Sequence, residues 1–261
     1  MFTILILLLF QGSPKFLDNN HTLFSQKESF YVFKKDSLYK FNKDEWSGTK
    51  HNLNLKNYNF NVIEDNGNVF LIAKGGGMVL SFNNEKLEVI SNSSFWDSNF
   101  ESFNFFRNGT LFSYGGYGHF NTRDNLIFFD KDSKEWFDIK LNQNGLDSRR
   151  HQVIGSYNNK TEAFYIGLGK KDKYLYSDIL RYDFKTKEWN KYADIGKLFG
   201  SDYRVIPNYK SPLIIYKGQK ITFDFLNKTY NIYEDESSAI NSFIQIHYNS
   251  FTNQFLISKK K

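Results

Sequence analysis

An all-β ring of repeated four-stranded units, a β-propeller, is the fold class this sequence predicts. Three observations carry that expectation. A charged turn followed by Trp recurs along the chain, four short apolar runs fill each interval, and helix-forming Ala and Leu runs are missing after the first dozen residues. The motif ends at Trp46 in LYKFNKDEW, at Trp136 in FFDKDSKEW and at Trp189 in RYDFKTKEW. Leu87 and Tyr230 take the Trp position in two weaker copies, so the intervals are 41, 49, 53 and 41 residues.

The elements follow in order. The N-terminal stretch supplies FYVF, SLYKFN and the Trp46 strand, with HTLFSQ as a fourth. The next unit reads FNVIED, VFLIAKGGG, MVLSFN and KLEVIS. The third reads SFNFFRN, TLFSYGG, NLIFFD and EWFDIKL, and the fourth HQVIGSY, EAFYIGLG, DILRYDF and EWNKYADI. The fifth reads YRVIPNY, PLIIYKG, KITFDFL and TYNIYED, after which FIQIHYN and QFLISKK remain without a partner pair. Each run is rich in β-branched and aromatic residues and is bounded by Gly, Asn, Asp or Lys turns. A lone four-stranded sheet cannot bury both faces, so the units pack face to face around an axis. A sixth blade shared between the ends, with C-terminal inner strands and N-terminal outer strands, would close the ring and hide the edges. The expectation is one propeller domain over residues 20–258 with six four-stranded blades.

Composition narrows the function. The formal charge is +6, but Lys259, Lys260 and Lys261 carry three of those charges, which leaves +3 for the rest. Elsewhere cations alternate with carboxylates on solvated turns, so nucleic acid is not an expected partner. No Cys occurs, which removes disulfides, thiolate metal sites and cysteine nucleophiles. MFTILILLLF has the length of an export-signal core and is too short for a standard membrane span, so residues 1–13 read as a signal peptide. No Lys or Arg precedes the run and QGSPKF is a poor cleavage site. An uncleaved anchor, which would be the sole membrane contact, and a mature strand are the alternatives. The expected location is secreted, periplasmic or cell-surface, and the expected state a monomer.

The repeat also carries a resemblance. Gly115 and Gly116 after a second strand (with Gly75 to Gly77 in the previous unit), Tyr182-Asp183 and Phe129-Asp130 in third strands, and Trp189 and Trp136 six residues later resemble the kelch repeat. RRHQ before the fourth unit is similar to the Arg-x-x-His opening of kelch blades but one residue shorter. The resemblance implies a kelch-type propeller and brings in copper-radical oxidases of the galactose oxidase type. Their cofactor needs a Cys joined to a Tyr, and this chain has none. It also implies, as an alternative activity, exported propellers similar to sialic-acid mutarotases, and as a third possibility an intracellular kelch adaptor for protein partners.

Glycines at a strand end allow positive φ and close backbone approach, and a Trp opening the outermost strand fills the wide gap between blades. Both are read as architecture. In an up-and-down blade the loop between strands 2 and 3 opens on the same face as the entry to the next blade, and loops on a rigid scaffold are where binding sits. That face gathers His119, Arg123 and Asp124, then Arg149, Arg150 and His151, then Lys170, Lys171, Lys173 and Tyr174, then Tyr203 and Arg204. It reads as basic and aromatic, suited to a protein or glycan ligand. Arg150 and His151 could equally serve the neighbouring loop carbonyls. No metal, cofactor or catalytic set is expected: the five histidines lie in different units, and the carboxylates sit in ordinary turns. The principal reading is a non-catalytic binding module.

Overall fold

The computed structural model describes residues 21–259 apart from 43–44, 54, 56–57, 93–99, 142–145, 197–199, 201, 207–210, 218, 235–242, 250 and 253. The signal-peptide reading of residues 1–13 lies outside the described residues. Among those described there is no helix.

Blade one is β1 (Thr22–Gln26), β2 (Ser29–Lys34), β3 (Ser37–Asn42) and β4 (Glu45–Lys50). Blade two is β5 (Phe60–Asp65), β6 (Asn68–Ala73), β7 (Val79–Asn83) and β8 (Lys86–Val89). Blade three takes β9 (Phe103–Arg107) and β10 (Thr110–Tyr114), then a miniature hairpin, β11 (Tyr117–Gly118) with β12 (Asn121–Thr122), then β13 (Leu126–Asp130) and β14 (Glu135–Ile139). Blade four repeats that plan with β15 (Ile154–Asn158) and β16 (Ala163–Gly167), the hairpin β17 (Lys170–Lys171) and β18 (Tyr174–Leu175), then β19 (Asp178–Asp183) and β20 (Glu188–Asp194). Blade five is β21 (Arg204–Ile206), β22 (Leu213–Tyr216), β23 (Gln219–Asp224) and β24 (Thr229–Glu234), and β25 (Phe243–Asn249) with β26 (Gln254–Lys259) closes the described chain.

Every blade is an antiparallel meander with its first strand innermost. Short turns make the meander: Lys27, Lys35, Asn66 and Asn108 take positive φ in two-residue hairpin connections, whose twist matches that of the flanking strands.

The expected sixth, shared blade is not what forms. Thr22–Gln26 pairs in full register with Ser29–Lys34, so the N-terminal strands complete a blade of their own and leave none to join the C-terminal pair. Among the described residues there are therefore five four-stranded blades, with β25 and β26 as a separate two-stranded sheet against β1.

Packing between blades is dominated by flat rings. Phe24, Tyr31 and Phe82 join blades one and two with centroids 4.8–5.1 Å apart. The repeated Trp faces the preceding blade. Trp136 packs with Ile63 and Phe70, and its Nε1 donates to Gly77 O at 2.7 Å. Trp189 packs with Tyr114 and Phe164 and is 1% exposed. Trp46 clusters with Leu23, Phe30 and Val32 of its own blade and stays half-buried; among the described residues the element before it has two strands rather than four.

One buried imidazole gives this closure a pH signature. His247 on β25 places Nε2 2.8 Å from Ser25 Oγ on β1, and burial pushes its pKa down from 6.5 to about 3. The folded chain holds it neutral, whereas the unfolded chain takes up a proton near 6.5. Its penalty is therefore absent above pH 6.5 and grows by about 1.4 kcal/mol per pH unit as pH falls towards 3. His247→Asn is expected to flatten that part of the acid sensitivity, measured as urea midpoints at pH 7 and pH 5. An unchanged pH dependence in the variant would show that the closure does not rest on a neutral histidine.

Candidate functional site

The blade entries and the strand 2 to strand 3 loops pair directly through their backbones. Phe100, entering blade three, forms an antiparallel bridge with Tyr117, and His151, entering blade four, forms the equivalent bridge with Lys170. The glycines make this approach possible. Gly115 has φ 64°, and a Cβ there would stand 2.8 Å from Arg150 O.

Three polar groups meet where these entries reach the axis. The Glu101 carboxylate lies 2.6 Å from His151 Nδ1 through Oε2 and accepts from Gln152 Nε2 at 2.6 Å through Oε1. Glu101 and Gln152 occupy matching positions in successive blades and both take left-handed backbone, with φ of 57° and 54°. Such conformations are costly for residues with side chains and persist where the surroundings enforce them. Desolvation alone would raise the Glu101 carboxyl, but the hydrogen bonds from His151 and Gln152, helped by Lys170, hold it below its usual range. Lys74 contributes a second cation beside Glu101. Desolvation pulls its amine below the usual lysine range, although the residue is exposed at the surface, so the effect is a small one. The ring of Tyr117 stands 5.5 Å from that of His151.

The expected site residues divide into supports and exposed groups. Arg150 has no exposed surface: Nη1 donates to Asp178 Oδ1 at 2.8 Å and Leu168 O at 3.2 Å, Nη2 donates to Asp147 O, and the guanidinium lies 4.0 Å from the Tyr176 ring centroid. Tyr203 is also buried; its hydroxyl accepts from Gly169 N–H and donates to Gln152 O. These two residues hold the loops that carry His151 and Gln152. Arg149 and Lys171 converge on Asp147. Burial works against the Asp147 carboxylate, but the two cations bring its pKa down to about 2. The face is therefore less basic than the sequence suggests, because Asp147, Asp178 and Glu101 compensate the cations.

Of the remaining residues, Arg123 is partly buried and joins Gly116 and Arg150 through its backbone, and Arg204 is exposed at the start of β21. His119 and Tyr174 stand on the two miniature hairpins, Tyr174 with 63% of its surface exposed. Beside His119, Phe120 is 92% exposed at φ 64°.

Sequence reasoning passed over Glu101, Gln152, Lys74, Asp147 and Phe120. The repeat held a usable signal for the first two, since Phe100-Glu101 and His151-Gln152 each precede an innermost strand. Among the described residues no group of three His, Asp or Glu side chains is placed to hold a metal ion.

No protein-family model matches the chain. No curated protein matches it either. Among solved structures, one titled "Structure of YjhT" is similar, with a TM-score of 0.54 and 14% identity over 78% of this chain and 73% of that one. A likeness at that identity establishes the propeller fold and nothing about the site.

Proposed function

We propose that this chain is an exported kelch-type propeller that works as a binding scaffold, taking a protein segment or a glycan on the loop face of blades three and four. The observation that carries the reading is the Glu101, His151 and Gln152 cluster, gathered at the axis by two left-handed residues in equivalent positions. Lys74 and Lys170 lie beside the carboxylate, Phe100 and Tyr117 expose aromatic surface next to the cluster, and Phe120 and Tyr174 are exposed on the two miniature hairpins. Exposed aromatics next to fixed polar groups are what recognition surfaces use. The test is a glycan array run beside a phage-displayed random-peptide library, each probed with the wild type and with Glu101→Gln/Lys170→Ala. A ligand class that the wild type retains and the double variant loses supports the reading. An empty screen on both platforms, or ligands indifferent to the double variant, would remove it.

A second reading is favoured by one detail of the same cluster. With Nδ1 directed at a carboxylate, the imidazole of His151 is oriented so that Nε2 can exchange a proton. That arrangement would suit a sugar-active enzyme similar to the sialic-acid mutarotases. Exchange between the anomers of free N-acetylneuraminic acid, followed by NMR, decides it: acceleration by the wild type that Glu101→Gln abolishes would support catalysis, and an uncatalysed rate would exclude it.

A further inference from the structure

Directly below the Glu101 rim, the axis opens into a cavity of about 100 Å³. In three inner strands its lining continues from the rim: Ser102, Phe103 and Asn104 follow Glu101, Val153 and Ile154 follow Gln152, and Val205 follows Arg204. Asn61 and Val62 of β5 complete this side of the wall. Ser102 Oγ and Asn104 Oδ1 are buried without a hydrogen-bond partner, as are Asn59 Oδ1 and Gln152 Oε1 at the adjoining rim. Buried polar atoms are seldom left so, and two of these residues, Ser102 and Asn104, belong to the lining of this space. Among the described residues the lining contains neither a carboxylate to hold a cation nor an ammonium or guanidinium to hold an anion. Its polar members are amides and a hydroxyl, which both donate and accept, and they alternate with apolar walls. One wall is fixed: the Phe103 ring lies where a Cβ on Gly155 would come within 2.5 Å of it.

We propose that this throat is a subsite for a neutral, hydroxyl-rich group, the edge of a sugar ring or the end of an alditol, entering past Glu101. Hydroxyls match groups that need both a donor and an acceptor, and the C–H faces between them match Val62, Phe103 and Val205. The inference rests on the binding reading above and selects the glycan over the protein segment as the ligand that reaches the axis.

The test is saturation-transfer NMR and calorimetry with xylitol, D-glucose and D-galactose, using pentane-1,5-diol as the hydroxyl-poor counterpart of xylitol. Saturable binding of at least one polyhydroxylated probe, absent for the diol, is expected. Asn104→Leu and the milder Ser102→Ala should each weaken it by about tenfold, the loss of one buried hydrogen bond. No binding of any probe, equal binding of the diol, or affinities unchanged in both variants would overturn the proposal. The two readings fail separately: ligands from the array that still bind Asn104→Leu at wild-type strength, while losing affinity for Glu101→Gln/Lys170→Ala, would leave the rim as a binding site and remove the throat from it.

Discussion

Trp189→Ala is expected to destabilise the protein by about 3–5 kcal/mol, the usual cost of removing a large buried aromatic side chain. The indole is 1% exposed and is held by Tyr114, Phe164 and Tyr182 at centroid distances of 5.1–5.3 Å, so the space it leaves cannot collapse without moving two blades. Because a domain of this kind has a total stability of about 5–15 kcal/mol, the loss is a large share of it. Trp46→Ala, at the equivalent place in blade one, should cost less than half as much, since it is half-buried and the two-stranded β25 and β26 pair precedes it. Urea denaturation of both variants measures the contrast. Equal losses would mean that the gap before blade one is packed as tightly as the others, against the five-blade arrangement.

The second large effect is at Arg150. Arg150→Met keeps most of the apolar stem but removes every donor, leaving Asp178 unpaired and the carbonyls of Leu168 and Asp147 unserved. Breaking a buried ion pair from one side costs about 3–5 kcal/mol, and the 20% exposure of the Asp178 side chain places the expected loss near the lower end. Arg150→Lys should recover little of it, because an ammonium cannot reach in two directions from one planar fork or stack on Tyr176 in the same way. Ligand binding should fall along with stability in both variants, since His151 and Gln152 follow Arg150 in the chain. A stable Arg150→Met protein, within about 1 kcal/mol of the wild type, would contradict its role as a support.

The blades were legible because their information is local. Alternating apolar residues, tight turns and a Trp or another large apolar residue at its place recur within each unit, and the blade strands coincide with the predicted runs apart from small changes at their ends, whereas the miniature hairpins β11–β12 and β17–β18 form in segments that read as loops. The ring closure was not legible. Whether HTLFSQ or FIQIHYN completes a blade depends on which pairing wins between strands more than 200 residues apart, and the short Lys27–Glu28 turn decides for the local partner.

That the blade entries and the strand 2 to strand 3 loops share one side follows from the meander, but the chemistry gathered there is only half visible in the sequence. Arg150 and His151 announce themselves as unusual residues at a blade entry. Glu101 does not, because its role comes from a contact with a residue 50 positions away. Charge was misjudged for the same reason: counting cations in the loops could not reveal that Asp147 would meet Arg149 and Lys171, or that Asp178 would take Arg150.

The absence of cysteine allows the location of the site to be tested directly, because any introduced thiol is unique. Lys173→Cys places it on the exposed turn of the β17–β18 hairpin, on the proposed face, and Asn159→Cys places it in the β15–β16 turn at the opposite end of the inner strand. Each protein is probed on the glycan array and the peptide library before and after coupling to a maleimide-linked polyethylene glycol. Loss of binding after modification at position 173, with binding intact after modification at 159, is the predicted result. Binding that survives at 173 and disappears at 159 would place the recognition surface on the other side of the propeller and contradict the account.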